Sequence, residues 1–216
     1  DNIKDICHVT SPDLEEKKSA VAFPGDDVFF HSNLSDELLS MLSERNKVDD
    51  ETLLLFDARH TCLRRVKIKK ANVTTKGLRV LKPHKIIELE AIGLKDVTVN
   101  DLVGCLGEWT LLNLKSLNVA HSTFINSAKF CVVVSLSKLR CLQNLNVSHT
   151  EFNKHGLEII TQDLPALESL DISGTPINDI TPLRKCKDRL KSLTMYNLRA
   201  SHNVEIVSVL CELTNL

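Results

Sequence analysis

One hexad recurs through the second half of the chain and constrains the fold more than any other feature. Leu114-Lys-Ser-Leu117-Asn-Val119 returns as Leu142-Gln-Asn-Leu145-Asn-Val147, as Leu167-Glu-Ser-Leu170-Asp-Ile172 and as Leu190-Lys-Ser-Leu193-Thr-Met195. Looser copies begin at Leu63 (Leu63, Val66, Ile68) and at Ile86 (Ile86, Leu89, Ala91), and Leu216 stands where a seventh would begin. The first positions, 63, 86, 114, 142, 167, 190 and 216, are separated by 23, 28, 28, 25, 23 and 26 residues. Repeats of about 20 to 29 residues with this pattern are leucine-rich repeats.

The physics of the hexad is that its last three positions alternate, so an extended chain puts two apolar side chains on one face and a polar one on the other. No single unit can bury its apolar face, whereas stacked units share one continuous core. The expected fold is therefore α/β: a leucine-rich-repeat solenoid with parallel strands on a concave face and helices on a convex face. Ser127 to Leu139 and Lys154 to Leu164 have helical apolar spacing, and Pro165 stops the second. The place where such repeats usually carry Asn holds Ala71, Leu94, Ser122, Thr150, Thr175 and Leu198. Hydroxyls are expected to satisfy the turning backbone in the three middle units.

Residues 1–60 do not follow the repeat and read as a small helical N-terminal cap, with the solenoid occupying 61–216. Leu34, Leu38, Leu39 and Leu42 have helical spacing, with Ser35 as the expected N-cap and acids in the first turn. A second helix is expected from Val48-Asp49-Asp50-Glu51 through Phe56, and Ser11 to Gly25 reads as loop. No polar unit closes the stack, so the solenoid is expected to be truncated before its C-terminal end.

Composition narrows the function classes. Lys plus Arg number 27 against 28 for Asp plus Glu, so bulk charge supplies no reason to expect nucleic acid or a membrane surface as partner. No apolar run approaches the roughly 20 residues of a membrane span, and Asp1-Asn2-Ile3-Lys4 does not begin a secretory signal. Seven scattered cysteines, an odd number without paired spacing, read as reduced thiols of the cytoplasm or nucleus. The sequons at Asn33, Asn72 and Asn146 matter only outside the cell.

Residues between the leucines face the concave side. One row is Arg65, Glu88, Ser116, Asn144, Ser169 and Ser192; the next is Lys67, Glu90, Asn118, Asn146, Asp171 and Thr194. Arg65 with Glu88 and Lys67 with Glu90 are expected to pair across strands, as mutual neutralisation on a solvated surface. The basic run Arg64 to Lys70 then reads as a charged strand rather than a nuclear signal or RNA contact, and Trp109 as packing under a connection. His121 and His149 occupy equivalent positions in adjacent units, where the flanking equivalents are Gly93 and Gly174. A metal needs a third ligand, so a polar surface pair is expected, with no metal or cofactor. No glycine-rich phosphate loop or enclosed nucleophile–base pair is evident, and an enzyme is not expected. Asn118, His121, Asn146, His149, Asp171 and Tyr196, the single tyrosine, are the candidate concave-face protein-binding residues.

The stretch Ala166 to Met195, above all Cys186-Lys-Asp-Arg-Leu-Lys-Ser-Leu-Thr-Met195, resembles the Zyg-eleven family, relatives of Zer-one. Those proteins are leucine-rich-repeat substrate receptors of cullin-two ubiquitin ligases. Similarity continues through Leu34 to Leu42, Asp49 to Phe56 and Leu63 to Val73. The resemblance implies an N-terminal box that docks on Elongin B and Elongin C, with Ile3 and Cys7 in its leucine and cysteine positions and Ser11 where an apolar residue is usual. It implies a cullin-selecting box at Phe30-His31-Ser-Asn-Leu34, with His31 in place of proline; Phe23-Pro24 is the other assignment. Phe30 and Leu34 join Ile3 and Cys7 as candidate adaptor-binding residues. It further implies that substrate N-termini exposing glycine are read by a C-terminal armadillo-like region outside this chain. The expected function is a non-catalytic scaffold and substrate-receptor subunit. Two rivals remain open: an F-box-like receptor binding a Skp adaptor, and a free-standing interaction module of ribonuclease-inhibitor type.

Overall fold

Alternation within each hexad requires an extended segment with one buried face, and such a segment is stable only with neighbours on its edges. The computed structural model, which describes residues 28–124, 135–198 and 203–216, places a strand at six of these positions. They are β1 (Arg65–Lys69), β2 (Glu88–Ile92), β3 (Ser116–Asn118), β4 (Asn144–Asn146), β5 (Ser169–Asp171) and β6 (Ser192–Thr194). All pairings are parallel, and the sheet order is the chain order, β1-β2-β3-β4-β5-β6. The expected α/β class with a parallel sheet is present.

The register aligns like with like. Leu89 lies opposite Leu117, Leu117 opposite Leu145, Leu145 opposite Leu170 and Leu170 opposite Leu193. The first four of these five leucines are at most 2% exposed. A one-residue slip would send every one of them to the solvent face, so burial itself specifies the pairing.

Connection length decides what covers the sheet. The 28-residue step from β2 to β3 holds two helices, α4 (Val99–Gly104) and α5 (Glu108–Asn113). The shorter step from β1 to β2 holds a single turn, α3 (Thr75–Leu78), running into a 3-10 turn at Arg79–Leu81. Between β4 and β5 lies α6 (Lys154–Asp163), ending beside Pro165 close to the expected stop. The step from β5 to β6 has only a 3-10 segment, Thr181–Cys186, and α7 (Asn203–Glu212) follows β6. Of the helix expected over 127–139, residues 127–134 lie outside the described part. The remainder is a 3-10 turn, Leu136–Lys138, whose 3-residue length leaves no room for an α-helical hydrogen-bond ladder.

Before β1, α1 (Ser32–Glu44) and α2 (Asp50–Leu53, continued by a 3-10 turn at Leu54–Phe56) form as expected in type but not in detail. Ser35 is not the N-cap. That place belongs to His31, which makes no side-chain cap bond, and no acid stands in the first turn. Ser35 is fully buried, donating its hydroxyl to the Phe30 carbonyl at 2.9 Å and accepting from the Cys62 amide at 3.3 Å. A tertiary demand for those hydrogen bonds has overridden its local capping preference. Asp49, in contrast, caps α2 in a capping box with Thr52.

The outer edge of β1 is closed by side chains. Asp36 on α1 accepts the amides of Arg64 and Arg65 at 2.9 and 3.0 Å, and Ser43 accepts that of Lys69 at 2.8 Å. Asp50 continues the series by accepting the Thr74 amide at 2.7 Å. An open parallel edge would otherwise invite pairing with a foreign strand.

Candidate functional site

Beyond the last strand residue each chain segment must turn out of the sheet, and the turning residue adopts the left-handed backbone conformation in all six units. Lys70, Gly93, His121, His149, Gly174 and Asn197 have φ between +49° and +69°. Five of their amides form a ladder, each donating to the carbonyl just before the corresponding residue of the next unit. Lys70 donates to Ile92, Gly93 to Ala120, His121 to Ser148, His149 to Ser173 and Gly174 to Tyr196, at 2.8 to 3.0 Å. Glycine takes this conformation freely; histidine and lysine pay in backbone strain.

The two histidines therefore leave equivalent points of adjacent strands in the same direction. Their rings stack with centroids 4.4 Å apart and planes 6° from parallel, close to the ~4.8 Å spacing of neighbouring strands. Both are exposed. On the far side, His149 lies 6.1 Å from the Tyr196 ring at 59°. Gly174 makes this possible, because a β-carbon there would overlap the His149 ring. Tyr196 is 57% exposed. His121, His149 and Tyr196 thus form one aromatic row along the rim of the sheet. Among the described residues, no group of three or more His, Cys, Asp or Glu side chains gathers as metal ligands.

Three other candidate binding residues are partly occupied within the fold. Asn118 Oδ1 accepts the Ala120 amide at 3.1 Å, Asn146 Oδ1 accepts the Ser148 amide at 2.9 Å and its hydroxyl at 2.7 Å, and Asp171 Oδ1 accepts the Ser173 amide at 2.9 Å. These bonds two residues ahead shape the turn that raises the aromatic row. The alternation in Leu-x-Leu hid this role, because it reports which face a side chain occupies and not which backbone group it meets.

Hydroxyls satisfy the turns at Ser122, Thr150 and Thr175, as expected. Ser122 donates to the Ala91 carbonyl and accepts the Leu94 amide, bridging to the preceding unit, while Thr150 and Thr175 donate to the carbonyls of Val147 and Ile172 in their own turns. Arg65 faces Glu88 at 3.5 Å and Lys67 faces Glu90 at 3.9 Å, so the charged strand is neutralised by its neighbour. Among the described residues Asp171 has no such cation: its cross-strand partners are Asn146 and Thr194. Trp109, partly exposed, carries the Lys85 ammonium 5.9 Å from its ring centre.

Of the candidate adaptor residues, Ile3 and Cys7 lie outside the described part, as does Phe23-Pro24. Phe30 is half-buried, and its backbone is pinned by donating to His60 at 2.7 Å and accepting from Cys62 at 3.2 Å. Leu34 is half-buried on α1, whereas Leu38 and Leu39 belong to the core.

Sequence reasoning missed His84. Its ring is buried; Nδ1 accepts the Leu63 amide at 3.1 Å and Nε2 donates to the Phe56 carbonyl at 2.7 Å. Burial holds its pKa below the ordinary 6.5, against the opposing backbone bond to Phe56 and the charges of Asp57 and Asp36. Nothing in the local pattern Lys82-Pro83-His84 marks a buried ring.

On the helical side, α6 and the Thr181–Cys186 segment flank an open groove of about 470 Å³ that includes His155, Glu158, Ile159, Pro182 and Lys185. Beside it Lys154 and Asp179 pair at 2.7 Å, which holds the Asp179 carboxyl down at about 2. No helix among the described residues is long and apolar enough to cross a membrane. No protein-family model matches the chain.

Proposed function

We propose that this chain is a leucine-rich-repeat solenoid, parallel strands concave and helices convex, serving as a non-catalytic scaffold within a substrate receptor of a cullin-two ubiquitin ligase. The observation that carries the reading is the register of six sequential parallel strands, leucine to leucine across the last five and Val66 to Leu89 at the first, extended at the rim by the ladder of turn amides. Units tied in this way hold their two ends at a set separation, which a ligase needs between adaptor and substrate reader. The resemblance of Ala166 to Met195 to the Zyg-eleven family supplies the ligase, Elongin B and Elongin C as adaptors, and a C-terminal reader of glycine-exposing N-termini. Ile3 and Cys7, with Phe30 and Leu34, are the residues assigned to adaptor and cullin contacts.

The test is capture of purified Elongin B/C and cullin-two by the full-length protein, compared with a Skp adaptor. The expected outcome is Elongin capture that falls at least tenfold when Ile3 and Cys7 are both changed to Ser. Capture of Skp alone, or of neither adaptor, overturns it. The exposed row His121, His149 and Tyr196 favours a second use, protein recognition on the strand-bearing face.

A further inference from the structure

We infer that the outer edge of β6 is a docking edge for a further extended strand of the hexad pattern, Leu-x-x-Leu-x-apolar, lying parallel to β6. The inference rests on the stacked-unit reading above and not on the ligase reading.

The groups on that edge follow from how β6 meets β5. Ser192 donates its amide to the Glu168 carbonyl, and the carbonyls of Thr194 and Tyr196 accept the amides of Ile172 and Gly174. Backbone groups of successive strand residues alternate between the two edges, so Leu193, Met195 and Asn197 present theirs to the outside. In earlier units the amides equivalent to Met195 donate to the next unit: Val119 to Asn146, Val147 to Asp171 and Ile172 to Thr194. Those equivalent to Asn197 form the turn ladder already described. Met195 and Asn197 find no acceptor among the described residues.

The start of the edge repeats the pattern with an acceptor. The carbonyls of Arg64, Ile87, Lys115, Gln143 and Glu168 each take two successive amides of the following unit, at 2.7 to 3.3 Å. Lys191 is next in that series, and its carbonyl takes none among the described residues. Asn197 nonetheless holds the left-handed φ of +55° shared by the earlier turn residues. The last unit thus keeps the backbone conformation that every existing interface uses.

Side-chain burial changes at the same place. Leu193 and Met195 are half-buried, whereas Leu117, Leu145 and Leu170 are at most 2% exposed and Val119, Val147 and Ile172 are fully buried. Val207 on α7 is 58% exposed. The opposite edge of the sheet is closed, with Asp36 and Ser43 taking the amides of Arg65 and Lys69. β6 has the length of β3, β4 and β5 and carries neither charge nor proline across Ser192–Thr194. Those are among the devices that make an edge unreceptive to other strands.

Direction selects the occupant. A second copy related by a two-fold axis would set β6 against β6 antiparallel, without the paired acceptance that the parallel interfaces show at the Lys191 position. A head-to-tail copy would need the β1 edge, where Asp36 and Ser43 already stand. A parallel strand with the hexad pattern uses every free group. It supplies two amides to Lys191, carbonyls to Met195 and Asn197, and apolar side chains to cover Leu193 and Met195. Continuity with the five established interfaces therefore specifies a leucine-rich strand as the partner.

The probe is the chain's own hexad, an acetylated and amidated peptide of Leu167–Thr175, titrated to millimolar concentration into the isotope-labelled full chain. Amide hydrogen exchange at Leu193, Met195 and Asn197 is read by NMR, and the same peptide carrying Leu170→Asp runs alongside. The expected result is saturable slowing of at least fivefold at Met195 and Asn197, absent with the Asp-bearing peptide. Met195→Pro removes an outward donor where an edge strand tolerates proline, and it should weaken peptide binding at least fivefold. Should that variant fail to fold, the comparison of the two peptides still decides.

No slowing at millimolar peptide, equal slowing by both peptides, or slowing at β1 instead of β6 overturns the assignment. So does a chain that sediments by itself as a dimer and is dissociated by Met195→Pro. Elongin capture reads Ile3 and Cys7 instead, so the two proposals fail separately.

Discussion

His84 reaches back 28 residues to donate its Nε2 hydrogen to the Phe56 carbonyl and 21 residues to accept the Leu63 amide at Nδ1. One neutral tautomer therefore joins the helical N-terminal segment to the start of β1. Thr110 extends the link by donating to the His84 carbonyl at 2.9 Å and accepting the Ile86 amide at 3.1 Å.

Replacing His84 by Ala should lower unfolding stability by about 2–4 kcal/mol, since it leaves a buried amide and a buried carbonyl unpaired. The folded pKa is depressed, so the neutral ring stabilises the fold fully above pH 6.5, the ordinary value, and that contribution is lost as pH falls through the folded value. Urea unfolding at pH 7.5 and 5.5 checks this: wild type should lose stability on acidification by more than His84→Ala does. Equal losses would remove the assignment.

Asp36 behaves in the opposite sense. Burial outweighs its two amide donors and the nearby arginines, and pushes the carboxyl pKa above 3.8. Its contribution is fully present below pH 3.8 and lost as pH rises through the folded value, so ionisation at neutral pH is a net burden. Asp36→Asn should consequently destabilise by no more than about 1 kcal/mol, while Asp36→Ala, which frees the edge amides of Arg64 and Arg65, should cost about 2 kcal/mol. Denaturant midpoints of the two variants decide the order.

Gly93 and Gly174 share a positive φ but not their surroundings. A β-carbon at Gly93 meets Lys70 Cγ at 3.4 Å, an ordinary contact, whereas at Gly174 it overlaps the His149 ring. Gly93→Ala should therefore cost about 1–2 kcal/mol from the left-handed conformation alone. Gly174→Ala should cost more and displace the His149 ring, seen as loss of ring-current shifts between His149 and Tyr196. Unaltered shifts would contradict the packing described.

Leucines at equivalent hexad positions should differ by depth. Leu145 is 2% exposed between strands on both sides, and Leu145→Ala should cost about 3–4 kcal/mol by lost transfer energy and a residual cavity. Leu193, half-buried on β6, should cost about 1–2 kcal/mol when changed to Ala. Thermal unfolding of the pair, with a gap of less than about 1 kcal/mol, would show that the two environments are alike.

Much of this was legible from residue spacing, and the reason is mechanical. Strand pairing puts residues 23 to 28 apart into contact, so cross-strand partners such as Arg65 and Glu88, or His121 and His149, follow from counting. The hydroxyls at Ser122, Thr150 and Thr175 were legible for the same reason. Ser35 was misread because its spacing before two acids imitates a cap, while the groups that claim it, Phe30 and Cys62, come from either side of α1. The turn bonds of Asn118, Asn146 and Asp171 depend on backbone angles that no hexad encodes.

The amino-acid sequence by itself determined the α/β class, the parallel strands, their order and the apolar spine, because a period of two inside a period near 25 permits few other ways to hide leucine from water. Only the tertiary structure decided which polar groups are occupied. Whether an edge amide meets Asp36, a buried ring meets Leu63, or a hydroxyl at Ser173 meets no partner among the described residues depends on where separate segments come to rest in three dimensions. Hydrogen bonds act over about 3 Å and demand direction, so they are fixed after packing, while burial of apolar surface needs only a face and is written in the spacing.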